Sequence, residues 1–279
     1  SIHEFGGASV LLAGAIVILF TAFLALVFTL PFYIALRFFS FSSLQLLFLV
    51  PCIWFLGEWS RTWFLTGFPW LFSGYGYLST PLSGYVPIIG VSGVSLLVMA
   101  SAAITAYILG ARTPSKLRFG LLGILGVIWL AGYGLTKINW TQLEDKPIRV
   151  GMIQPNVDQS IKLNWNYEAI QQSLSQLREQ SDGLWDKNDW IIWPEAAIPT
   201  ALTFHTALPF IEKMNSQAAQ HQAALFTGVI YDDRQTKNYY NSIVGLGDGL
   251  GFYHKRRLVP FGEYVPLEEY LRGFIELFD

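Results

Sequence analysis

A single cysteine, Cys52, stands among 279 residues, so no disulfide can form within the chain. Lodged in the apolar run LQLLFLVPCIWFLG, it reads as a small core residue of a helix rather than a reactive thiol. Charge is scarce too: Asp, Glu, Lys and Arg make up 14% of the chain, and a mean hydropathy of +0.39 is too apolar for a water-soluble protein of this size. The start, at Ser1, has neither a basic stretch nor a small-residue cleavage site, and so does not read as a signal peptide. G-x-S-x-G, H-E-x-x-H and paired Cys/His metal patterns do not occur, and GLGDGLG fits a turn rather than a nucleotide loop. His3, His205, His221 and His254 are scattered and read as surface or hydrogen-bonded residues, which leaves no implied metal or cofactor.

What charge there is lies mostly in the second half. Residues 1–136 hold Arg37, Arg61, Arg112, Lys116 and Arg118 against Glu4 and Glu58; the rest carries 13 basic and 18 acidic residues, an excess of acid that excludes a nucleic-acid surface. The expected organisation is a membrane domain over residues 1–137, followed by a soluble domain over 138–279. Apolar runs at 9–30, 42–57, 86–110 and 119–136 are candidate membrane spans. Between the last two, ARTPSKLR carries three positive charges, which places it in the cytoplasm and the soluble domain on the outer face. The segment 58–85 then lies outside. Its aromatic residues, among them Phe68, Trp70 and Tyr75, fit either an aromatic belt at headgroup depth or, given the repeated Gly and Pro, a re-entrant segment that shapes a lipid entry site. Glu58 and Arg61 are spaced to pair if a helix continues through them.

After residue 138 the period changes. IRVGMIQPN, DWIIWPE, AALFTGVIY, NSIVGLGD and GFYHK read as strands, the last two a hairpin around Asp248 and Gly249. YEAIQQSLSQLREQ sets Ile170, Leu174 and Leu177 on one helical face, and ALPFIEKMNSQAAQHQ fits a second helix. The fold class is an α/β layered domain with a mixed sheet, whose functional residues belong at strand ends.

Three charged residues sit at such ends in apolar surroundings: Glu195 in WPEAAIP, Lys255 in FYHKRRLVP and Glu263 in VPFGEYVP. Each alone reads as a solvated loop residue. Together, a buried Glu with a raised pKa suits a general base, and a nearby Lys suits an oxyanion.

These motifs, with RVGMIQPN and the upstream GEWSRTWFLTGFPWLFSGYGY, resemble apolipoprotein N-acyltransferase over nearly the whole chain. The resemblance implies a nitrilase-like αββα sandwich and a Glu-Lys-Cys triad. In it Glu195 is the general base, Lys255 the oxyanion lysine, Glu263 a supporting glutamate and Trp165 a loop residue that handles substrate. It further implies two-step transfer of an acyl chain from a phospholipid, through a cysteine thioester, to the α-amine of a diacylglyceryl-cysteine lipoprotein. The family's nucleophile follows the PFGEYVP motif, where this chain has no cysteine. The expectation is therefore a fragment, truncated at both ends and inactive as it stands. The alternatives are a membrane-attached carbon-nitrogen hydrolase or amidase, in which Glu and Lys serve amide cleavage, and a non-catalytic lipid- or lipoprotein-binding membrane protein.

Overall fold

A computed structural model describes residues 2–4, 7–64, 67–110, 114–144, 146–157, 166–201, 207–233, 235–236, 238–260 and 263–264, without the side chains at 199 and 200. By its contacts the chain divides into two compact units, one built on Val10–Leu143 and one on Glu144–Arg257.

The first unit is helical: α1 (Val10–Phe38), α2 (Ser43–Ser60), α3 (Val86–Gly110) and α4 (Ser115–Leu135). All four are long and apolar enough to cross a membrane. α1 runs eight residues past the apolar stretch that predicts it and carries Pro31 inside. A capping box opens α2: the Ser42 hydroxyl accepts from the Gln45 N–H, and the Gln45 side chain accepts from the Ser42 N–H at 2.8 Å. α3 bends at Gly90, whose φ of 65° is open to glycine. Inside the unit Leu82, Val94 and Val98 pack together, while many Leu, Ile, Val and Phe side chains of the helices are exposed.

One sequence expectation is overturned here. Cys52 is exposed on α2 rather than part of a core. An apolar helix surrounded by lipid has no polar face to reveal which side is inside. Glu58 and Arg61, with Arg61 continuing the helical backbone as the cap of α2, interact electrostatically as their spacing predicts. Glu58 is 1% exposed, and its Oε1 accepts from Trp54 Nε1 (2.9 Å), the Ser73 N–H (2.7 Å) and the Ser73 hydroxyl (2.8 Å). The Arg61 guanidinium lies over the rings of Phe28 (4.8 Å) and Phe72 (5.4 Å). The buried acid therefore ties the 3-10 turn Ser73–Tyr77 to α2.

The second unit is a mixed sheet. Its described strands are β1 (Val150–Met152), β2 (Trp190–Ile192), β3 (Ile198–Ala201), β4 (Ala224–Asp233), β5 (Asn238–Gly247) and β6 (Gly251–His254), with helices α5 (Tyr167–Asp182) and α6 (Ala207–Gln220). The order is β1-β2-β4-β5-β6, and β3 also pairs with β4. β1, β2 and β3 run parallel to their neighbours, and the β4-β5-β6 meander is antiparallel. Asn166 caps α5 by accepting from the Ala169 N–H at 2.8 Å. As its spacing predicts, α5 turns Leu174 and Leu177 inward, where they meet Ile211 and Met214 of α6 and Ile191, Leu225 and Val229 of the sheet. Asp189 fixes β1 beside β2, accepting from Arg149 at its backbone N (2.8 Å), Nε (3.2 Å) and Nη2 (2.9 Å). These bonds, the side-chain one foremost, hold the Asp189 carboxyl at about 2.

Alternation gives the sheet two unlike faces. Ile191, Trp193, Leu225 and Val229 are buried under the helices. The opposite face carries Met152, Trp190, Ile192, Phe226, Ile243 and Tyr253, in register across five strands and partly exposed.

Candidate active site

Glu195 owes its position to an interruption. β2 and β3 both pair with β4, first along Ala224–Phe226 and then at Val229 and Ile230. Between them Pro194, which has no N–H, breaks the ladder, and Ala196 turns the chain with φ 47°, a region that costs a residue with a side chain of order 1 kcal/mol. Trp193 anchors the turn. It is 3% exposed, its backbone N–H donates to Phe226 O at 2.9 Å, and its indole N–H donates to the Ser181 hydroxyl of α5 at 3.0 Å.

Gly228, across from the break, lets the turn lean over β4. A Cβ there would lie 2.5 Å from Ala196 N and 2.8 Å from both Glu195 Cα and Pro194 O, all backbone atoms that cannot swing aside. Gly228→Ala is thus expected to lower unfolding free energy by about 1–3 kcal/mol, as overpacking does. It should also lift Glu195 from its partners, a displacement readable as a longer carboxylate–ammonium separation in the variant's crystal structure. Unchanged stability and geometry would remove this role from Gly228.

From the leaning turn Glu195 reaches the meander. Lys255, immediately after β6, donates from Nζ to Glu195 Oε1 at 2.9 Å. Asn241 of β5 donates from Nδ2 to the same oxygen at 2.6 Å. The Lys255 backbone N–H donates to Asn241 O at 2.8 Å, extending the β5–β6 ladder by one residue. The three side chains rim a cavity of about 310 Å³ whose floor is apolar, formed by Ile192, Phe226, Ile243 and Tyr253. A carboxylate and an ammonium on the rim of an apolar hollow can take up a proton and stabilise a nascent anion within one small volume.

The structure thus brings together Glu195 and Lys255, 60 residues apart in sequence. It corrects the expectation that Glu195 is buried: its side chain is 63% exposed, against 30% for Lys255, because the turn raises it from the sheet to the rim. Hydrogen bonds, rather than removal from water, define its surroundings. Glu263 closes a local turn, accepting from the Val259 N–H at 2.8 Å and donating its own N–H to Val259 O at 2.9 Å. Trp165 lies outside the described residues. In the helical unit Phe68 stacks on Trp70 at 6.0 Å and meets Phe20 edge-on at 5.2 Å, and Tyr75 stacks on Phe72 at 6.1 Å; Trp70 and Tyr75 are more than half exposed. Sequence reasoning missed Asn241. Its signal was a polar residue two places before Ile243, on the face of a strand that is otherwise apolar.

Residues 1–104 match the apolipoprotein N-acyltransferase N-terminal domain, and residues 149–276 match carbon-nitrogen hydrolase. Among similar proteins is the apolipoprotein N-acyltransferase of Pseudomonas syringae pv. tomato, 39% identical over 100% of this chain and 55% of the relative. Those of Coxiella burnetii and Methylococcus capsulatus are each 36% identical, over 100% and 99% of this chain and 57% and 54% of the relatives. The chain belongs to the apolipoprotein N-acyltransferase family. It spans about half the length of the curated relatives it matches. The helical and α/β units correspond in order to the two matched domains of apolipoprotein N-acyltransferase, and Glu195, Asn241 and Lys255 all fall within the carbon-nitrogen hydrolase part.

Proposed function

We propose that the gene product transfers an acyl chain from a phospholipid to the α-amine of a diacylglyceryl-cysteine lipoprotein, in a bacterial inner membrane, with the α/β unit on the outer face. The observation that carries this reading is the 2.9 Å contact between Glu195 and Lys255 on the rim of an apolar cavity, in a chain whose relatives are apolipoprotein N-acyltransferases.

In the first step Glu195 takes the proton of a cysteine thiol, and the thiolate attacks the ester carbonyl carbon. The carbonyl oxygen becomes an oxyanion beside the Lys255 ammonium. Collapse breaks the ester C–O bond, and the lysophospholipid alkoxide leaves with the proton held by Glu195. In the second step the lipoprotein amine attacks the thioester, gives its proton to Glu195, and displaces the thiolate to leave an amide. The family pattern puts this cysteine after Glu263; Cys52, on α2, does not serve. An apolar floor suits the acyl chain and keeps water from the thioester. Glu263 supports the site in this reading, and Trp165, Phe68, Trp70 and Tyr75 handle lipid. The exposure and stacking of Trp70 and Tyr75 are what an interfacial aromatic group needs. The three positive charges in 111–118 support the orientation.

The test uses the full-length gene product, reconstituted with phospholipid carrying a labelled acyl chain. Label should appear on one cysteine as a hydroxylamine-labile adduct and move to the amine of an added diacylglyceryl peptide. Absence of any adduct, together with ammonia release from small amides, would instead establish the carbon-nitrogen hydrolase alternative.

A further inference from the structure

Two of the three rim side chains are poorly suited to hold a geometry by themselves. Glu195 and Lys255 are long and flexible, ordering each costs rotamer entropy, and an ion pair this open to solvent contributes little toward that cost. Asn241 differs on each count. It has two side-chain torsions, its backbone lies within a ten-residue strand paired on both sides, and it sits opposite Ile230 in the β4–β5 register. The orientation of its amide follows from chemistry. A carboxylate oxygen only accepts, so the atom 2.6 Å from Glu195 Oε1 is the amide nitrogen. Through its carbonyl the same residue holds the backbone of Lys255 at 2.8 Å.

We propose that Asn241 is the positioning residue of this site. Its side-chain N–H aims the Glu195 carboxylate and its backbone C=O sets the start of Lys255, so one rigid residue of β5 registers the base against the ammonium. The inference rests on the reading of Glu195 as the base of acyl transfer. Preorganisation of this kind acts on turnover, since a displaced base still admits substrate while missing the reactive geometry.

Asn241→Asp is the informative variant. It preserves shape and the backbone carbonyl, but replaces the donor with a second carboxylate facing Glu195. In the full-length gene product, Asn241→Ala is expected to lower kcat for acyl transfer by about 10–100-fold with KM within about threefold. Asn241→Asp should fall further, to about 10³-fold below wild type, because like charges now oppose each other across the site. A side chain that merely fills space would tolerate Asp at least as well as Ala. An Asp variant equal to or better than the Ala variant, or both within threefold of wild type while Glu195→Gln is inactive, overturns the positioning role and leaves the acyl-transfer reading intact.

A second measurement needs no turnover. Acetylation of Lys255 by acetic anhydride, followed by mass spectrometry on the folded protein, should rise several-fold in Asn241→Ala as the ammonium loses its fixed partner. Unchanged labelling overturns the proposal. Increased labelling in a protein whose wild type forms no acyl adduct sustains the positioning and overturns the reaction assigned to the site.

Discussion

Glu195→Gln in the full-length gene product is expected to lower the rate of acyl-enzyme formation by about 10³-fold while the protein stays folded and lipid binding is little changed. The substitution is chosen because glutamine keeps a carbonyl oxygen where Oε1 now accepts from Asn241 and Lys255, at 2.6 and 2.9 Å. The turn over Gly228 is undisturbed, so a loss reports on proton transfer rather than on architecture. Without the carboxylate, the thiol must ionise unaided and the lysophospholipid must leave as a bare alkoxide. Single-turnover mass spectrometry of the adduct gives the rate directly. A value within tenfold of wild type would mean that Glu195 and Lys255 are only a structural ion pair, as in a lipid-binding protein without catalysis.

Lys255→Met should cost about 10²–10³-fold, the usual penalty for losing one donor to an oxyanion. Methionine follows the path of the lysine stem beside the apolar floor, so the missing ammonium is the principal change. Lys255→Arg is expected to recover only part of the loss. A planar guanidinium carries the charge but presents it over a wider fork, and the reach to Glu195 Oε1 is set for a compact group. The comparison of thioester formation across wild type, Met and Arg decides the matter. A Met variant with undiminished rate would assign oxyanion stabilisation to other groups, and full activity in the Arg variant would reduce Lys255 to a generic positive charge.

How far the chain could be read in advance depended on what each residue type reveals. The four apolar helices were legible because hydrocarbon demands unbroken apolar length, which sequence displays directly. Helices α5 and α6 were legible because Leu174, Leu177, Ile211 and Met214 repeat at helical spacing. β3 went unread: it is four residues long, contains Pro199, and is identified by its pairing with β4 rather than by any pattern of its own. Cys52 misled for another reason. Sequence does not give the face of a helix that is apolar all round. In the site, Glu195 and Lys255 were found as charges at strand ends, but their exposure was misjudged because the lean of the turn depends on Gly228, 33 positions away. Asn241 stayed hidden for the same reason, since its partner is Glu195 across β4, which no local pattern announces.

The apolar plane that floors the cavity does not stop at its edge. Met152 and Trp190 carry it on across the sheet, each more than a third exposed. An apolar plane of this extent meeting water would make the isolated α/β unit, like the apolar helices, call for detergent throughout purification.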